Sequence, residues 1–197
     1  MPTSHWLQLN EILSVVQVLR PRSVLDIGVG FGKFGVLLRE YLELWDGRER
    51  YSDWKCRIDG IEAFAQYRNP IYDRVYNHVY QGDARQILTQ DLPVYDLVLL
   101  VDVLEHFTRS EGQALLLDCV RHSKNILIAT PHRASAQKAA FGNEFEHHRS
   151  EWGADDLSCL GERIVVDNSR SLICCSGQQL DRLFTELSGL FLVGRKR

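Results

Sequence analysis

Apolar positions along the chain follow two periods that alternate. Short, nearly continuous aliphatic runs recur as "SVLDI" (23–27), "CRIDGI" (56–61), "HVYQG" (78–82), "YDLVLLV" (95–101) and "NILIAT" (125–130), each the length of one strand. Between them apolar residues fall three and four apart, as at Phe34, Leu37, Leu38, Tyr41 and Leu42, or at Leu115, Leu116, Cys119 and Val120. That spacing predicts helices with one face turned to a core. A further helical pattern over 5–19 precedes the first run, and Pro21 stops it. The alternation predicts parallel strands joined by crossover helices, and strands apolar throughout predict a sheet covered on both faces. The tail breaks the pattern. "RIVVDNSRSLICCS" reads as two strands around the polar turn "DNSR", followed by a helix over 178–187. The expected architecture is α/β, a mostly parallel sheet closed by an antiparallel pair. No repeat, low-complexity segment or linker divides the chain, so one domain over 1–197 is expected.

Composition removes several function classes. A formal charge of −3 and a pI near 6.2 lack the basic surface that a phosphate backbone demands, so no nucleic-acid partner is expected. The closing "GRKR" is read as a solvated terminus. Cys56, Cys119, Cys159, Cys174 and Cys175 form no C-x-x-C pair and sit mostly in apolar runs, as reduced core thiols do. The longest apolar run, "YDLVLLVDVL", is broken by acids and falls far short of the ~20 residues of a membrane helix. The first residues lack the charged-then-apolar order of a signal peptide. A cytoplasmic protein without a membrane partner is expected.

In an open α/β sheet, ligands bind beyond the carboxyl ends of the strands. Here those ends carry Asp26–Gly28, Glu62, Asp83, Asp102 and Thr130–His132. The stretch "GFGKFG" (30–35) matches the dinucleotide pattern G-x-G-x-x-G. That register leaves Asp26 inside the strand, where an unpaired carboxylate is costly. The register D-x-G-x-G-x-G, through Asp26, Gly28, Gly30 and Gly32, ends the strand at Ile27 instead. It is expected to put Asp26 at the strand tip facing the ligand, with bare backbone beside it.

"VLDIGVGFGKFG" resembles the first motif of class I S-adenosylmethionine-dependent methyltransferases. "IDGIEAF", "YQGDARQI" and "YDLVLLVDVLEHF" resemble the next three motifs, in order, and the resemblance spans residues 20–176. It implies a Rossmann-like, seven-stranded, mostly parallel sheet with helices on both faces, and S-adenosyl-L-methionine as cofactor. It implies cofactor binding by Asp26, Gly28, Gly30 and Gly32, by Glu62 on both ribose hydroxyls, and by Asp83 on the adenine amino group beside the Ala84 backbone. Asp102 would close the site near the reactive methyl. Glu62 follows Asp26 by 36 residues, against the ~20 of a simple strand–helix–strand unit. The excess, "LWDGRERYSDW" (44–54), is expected to be an inserted surface loop, with a lid or a partner surface as the alternatives.

"DVLEH" places Asp102, Glu105 and His106 at i, i+3 and i+4, one face if the turn is helical. Beyond the fifth strand, "PHRASAQKAAFGNEFEHHRSEW" adds His132, Glu144, Glu146, His147, His148 and Trp152. The plain reading is an acid opening a helix and a solvated histidine loop. The functional reading takes His106 and His148 as proton acceptors and His132, His147 and Trp152 as substrate-binding residues, with 131–152 covering the acceptor. Asp102, Glu105, His106 and His148 also resemble the metal site of the small-RNA 3′-terminal 2′-O-methyltransferases. There the first acid is glutamate; here aspartate is shorter by one methylene, and no metal is expected. The expected function is methyl transfer from S-adenosylmethionine to an oxygen or nitrogen of a small molecule. A metal-assisted RNA-terminal 2′-O-methyltransferase and a non-catalytic cofactor-binding partner subunit are the alternatives. Asp83 and the antiparallel tail count against a dinucleotide-dependent oxidoreductase.

Overall fold

The computed structural model describes residues 4–133 and 137–197. The helical pattern over 5–19 resolves into a single 3-10 turn, Trp6–Gln8, and α1 (Leu9–Leu19). Ile12, Val15, Val16 and Leu19 form the buried stripe of α1, and Arg20 ends it in the left-handed conformation, donating its N–H to the Val16 carbonyl. Then follow β1 (Ser23–Ile27), α2 (Lys33–Arg39), β2 (Arg57–Glu62), α3 (Tyr72–Val75), β3 (His78–Gln81), α4 (Ala84–Ile87), β4 (Leu97–Val101), α5 (Arg109–Arg121) and β5 (Asn125–Pro131). The tail adds β6 (Arg163–Val166), β7 (Ser171–Gly177), α6 (Leu180–Leu187) and β8 (Val193–Lys196). α5 opens on a capping box between Thr108 and Glu111, as its sequence requires.

One sheet holds all eight strands in the order β3-β2-β1-β4-β5-β7-β6-β8. The first five are parallel, and β7 inserts antiparallel between β5 and β6. The expected seven strands therefore become eight. β8 pairs antiparallel with β6, and its sequence "VGRK" hid it because three of its four residues are solvent-exposed. The basic tip is corrected from a solvated terminus to an edge strand. Arg195 bridges Glu162 and Asp181, and Lys196 meets Asp155.

Alternate residues of the central strands feed two cores, one per face. Val24, Ile58, Leu97, Leu99 and Leu127 pack beneath α1, α2 and α6. Leu25, Ile27, Val98, Leu100 and Ile128 pack beneath α4 and α5. Each such side chain contributes roughly 1.5–3 kcal/mol on burial, and β4 is buried at every position. Among the described residues no helix is long and apolar enough to cross a membrane.

The inserted segment leaves α2 through a π turn, Glu40–Leu44. Its anchor is Glu43, wholly buried, which accepts from the Lys55 and Cys56 N–H groups and pairs with Arg39 and Arg48. No residue of 44–54 lines the central cavity, so the lid alternative is corrected. The chain runs outward from β1 through β2 to β3 and, on the other side, from β4 to β5. The crevice opens at that β1/β4 switch point.

Candidate active site

A cavity over the carboxyl ends of β1, β2 and β4 gathers residues from every strand end singled out above except the fifth. Its first wall is set by backbone. Gly28 (φ 81°) and Gly30 (φ 56°) adopt left-handed conformations that L side chains avoid, and a Cβ on Gly28 would stand 2.7 Å from Val103 Cγ2. Glu62, 5% exposed, accepts from the Gly30 N–H through Oε2 and from the Phe64 N–H through Oε1, both at 2.8 Å. Burial pushes its pKa up against those backbone donors. Each oxygen keeps a lone pair for a ligand hydroxyl. Asp83 caps α4 and accepts from the Arg85 N–H. Burial pushes its pKa up, but the bonds from Arg85 outweigh this and hold it below the ordinary carboxylate value. Ala84 lines the cavity beside it.

Two expected cofactor ligands lie behind this wall. Gly32 (φ 91°) caps α2, and a Cβ there would meet Ile71 Cγ2 at 2.9 Å; it shapes the turn rather than lining the cavity. Asp26 is corrected from a ligand-facing tip to a buried brace. It is 1% exposed and accepts from the Tyr76 hydroxyl at 2.5 Å, and that hydroxyl accepts in turn from the Gly35 N–H. The side chain alternates inward from Ile27, so ending the strand at Ile27 does not expose its neighbour. Burial raises the Asp26 pKa to about 7.

The second wall is set by side chains. Asp102 follows β4 with φ 53° and accepts from Gln8 Nε2 at 2.8 Å; burial raises its pKa. Leu104–His106 form a 3-10 turn. His106 lines the cavity, and its Nδ1 donates to the His147 carbonyl at 3.2 Å, since a carbonyl only accepts. Nε2 is thereby left as the proton-accepting atom. Burial lowers the His106 pKa, which favours this neutral form. The His148 ring lies 5.1 Å from that of His106, centroid to centroid, behind it rather than on the cavity wall. Glu105 is 1% exposed, accepts from the Thr130 hydroxyl at 3.0 Å, and burial raises its pKa to about 8. One ligand atom each from Glu105, His106 and His148 fall within 4.8 Å of one another; Asp102 does not join them. Two imidazoles and a carboxylate are a donor set suited to a divalent ion.

Three expected substrate contacts are corrected. Trp152 is 2% exposed, donates to the Leu104 carbonyl and packs on Gly112, so it belongs to the core. The His132 ring meets the Asn168 carbonyl at 2.8 Å, beside β7. His147 turns its ring to Glu144, away from the cavity. Of the 131–152 cover, residues 134–136 lie outside the described residues, and Asn143, Phe145 and Glu146 reach the cavity. Glu146, 6% exposed, accepts from the Tyr67 hydroxyl at 3.0 Å and from Gln137. Tyr67, Asn143 and Phe145 had no motif to mark them. Gln8 and Lys33 were missed as well, although a glutamine four residues before Ile12 on the apolar stripe of α1 was a readable signal.

No protein-family model matches the sequence, and no curated protein is significantly similar to it. Solved structures are. The methyltransferase domain of a bacterial Hen1, CtHen1, aligns with a TM-score of 0.58 at 16% identity, covering 87% of this chain and 98% of that one. An O-methyltransferase family protein from Burkholderia thailandensis aligns at 0.59 and 14% over 87% of this chain, which spans 57% of that protein. Magnesium protoporphyrin IX methyltransferase from Synechocystis PCC 6803, with bound S-adenosylhomocysteine, aligns at 0.57 and 14%, covering 86% and 84%. The chain has the class I methyltransferase fold.

Proposed function

We propose that this protein transfers a methyl group from S-adenosylmethionine to an oxygen or nitrogen of a small-molecule acceptor. The observation that carries the reading is Glu62. A buried carboxylate is fixed by the glycine loop itself, through Gly30, and keeps lone pairs free at the cavity. With Asp83 and the Gly28 and Gly30 backbone on the cavity wall, the donors and acceptors fit an adenosyl ligand. That cofactor brings its own leaving group, so the chain has to bind, orient and exclude water. Glu62 would hold the ribose hydroxyls, Asp83 and the Ala84 backbone would hold the adenine, and Phe107 and Phe145 keep the acceptor end apolar. His106 Nε2 would take the proton from the acceptor as its bond to the methyl forms. Calorimetry tests the cofactor: S-adenosylhomocysteine should bind and NAD should not, and the reverse result overturns the reading.

One observation favours a second reading. The cluster of Glu105, His106 and His148 could hold a divalent ion, and a bacterial Hen1 domain is among the structures this chain resembles. Methyl transfer to a terminal ribose hydroxyl of RNA would then use the ion to orient that hydroxyl. Chelation separates the two: it abolishes activity in the second reading and leaves the first untouched.

A further inference from the structure

The insertion that follows α2 builds a second concavity, a groove of about 550 Å³ that has no lining residue in common with the central cavity. Val36 of α2 and Leu44, Trp45 and Tyr51 of the insertion line it. All four stay exposed to solvent, Trp45 at 74% and Tyr51 at 63%. Scattered apolar residues on a surface are ordinary; four that converge on one groove mark a face that another molecule covers. Tryptophan and tyrosine are also among the side chains that carry most binding energy at protein interfaces.

The groove is held in shape from below. Buried Arg39 donates to the Val75 and Cys56 carbonyls and to Asn77, pairs with Glu43, and lies 4.4 Å from the centre of the Trp54 ring. Trp54 Nε1 donates to the Arg48 carbonyl at 3.3 Å, and Arg48 pairs in turn with Glu43 and Asp46. A surface fixed in this way spares a partner the entropy of ordering it.

Charge decides what fits. Glu40 and Glu49 are the exposed charged residues of the lining, and among the described residues no ion pair engages either carboxylate. The cation of the lining, Arg39, is already matched by Glu43. An apolar groove with unmatched acids complements a segment that carries basic side chains beside apolar ones. Aromatic faces add their own attraction for a guanidinium or an ammonium. A small-molecule site buries most of its ligand, which walls as exposed as Trp45 and Tyr51 do not; a protein partner brings the missing half of the enclosure.

We propose that the groove between α2 and the 44–54 insertion is a docking site for a basic, apolar segment of a partner protein. Trp45 and Tyr51 hold that segment by apolar and cation–π contact, and Glu40 and Glu49 hold it by charge. The site stands apart from the methyl-transfer reading, since the groove and the cavity are built from different residues.

Fluorescence anisotropy on the full chain tests this with three labelled, capped peptides: one alternating leucine and arginine, one alternating leucine and glutamate, and one alternating glycine and arginine. The leucine–arginine peptide should bind at least about tenfold more tightly than either of the others. Trp45→Ala should weaken it by about tenfold, with the circular dichroism of the wild type. Glu40→Gln combined with Glu49→Gln should narrow the gap between the leucine–arginine and leucine–glutamate peptides, a change of preference that a loss of folding would not produce. Binding of none of the peptides, equal affinity for all three, or affinities that both variants leave unchanged overturns the docking site. A concentration-dependent dimer in analytical ultracentrifugation that Trp45→Ala dissolves overturns it too, because the groove would then belong to a second copy of this chain. The methyl-transfer reading stands in each of these cases.

Discussion

The two walls of the cleft are made by different means. The glycine-loop wall is a backbone construction: left-handed glycines, strand ends in fixed register, and a carboxylate, Glu62, tied to main-chain N–H groups. The facing wall is a side-chain construction. His106, Tyr67 and Glu146 take their positions from contacts between 3-10 turns and a loop distant in the chain, and Glu105 from Thr130 of β5. A backbone wall can serve a common ligand unchanged. A side-chain wall can be re-cut by substitution without disturbing the sheet, which is where specificity for an acceptor would reside.

Substitutions should separate the walls. The largest effect expected is on turnover: His106→Ala should lower it by about 100-fold while leaving S-adenosylhomocysteine affinity nearly unchanged. Loss of cofactor affinity in that variant would show that the two walls are not independent. Glu62→Ala should do the opposite, weakening S-adenosylhomocysteine binding by about 2 kcal/mol, near 30-fold, with the fold intact by circular dichroism. An unchanged dissociation constant would assign the ribose to another residue. A third effect concerns stability. Burial raises the Asp26 pKa from 3.8 to about 7, so between those values the folded protein keeps a proton that the unfolded chain has lost. Stability from this group is therefore full at low pH, falls as pH rises toward 7, and levels off above it. Asp26→Asn should flatten that fall, read as a smaller drop in Tm between pH 5 and pH 8 than in the wild type; parallel curves would place the proton elsewhere.

The same division explains what could be read in advance. Strand runs, crossover helices and the antiparallel tail are local patterns, and the sheet follows them closely. The glycine register and Glu62 were legible because a turn needing positive φ leaves its mark in residue type. Asp26 misled because position along a strand does not reveal which face a side chain takes. Trp152 and His132 misled because aromatic and imidazole groups serve a core or a backbone carbonyl as readily as a ligand. Lys33 and Tyr67 carried no signal at all, since their meaning lies in contacts with residues distant in the chain.

β8 matters beyond the cleft. A sheet margin is a row of unpaired amide and carbonyl groups, a template on which another chain can grow. β6, with its largely buried residues, would be such a margin, and β8 occupies it instead. The new margin is only four residues long and displays a guanidinium and an ammonium already engaged with carboxylates on the flank. An incoming strand would have to strip water and partners from those charges before gaining a single ladder bond. The last few residues thus act as a guard against self-templated aggregation.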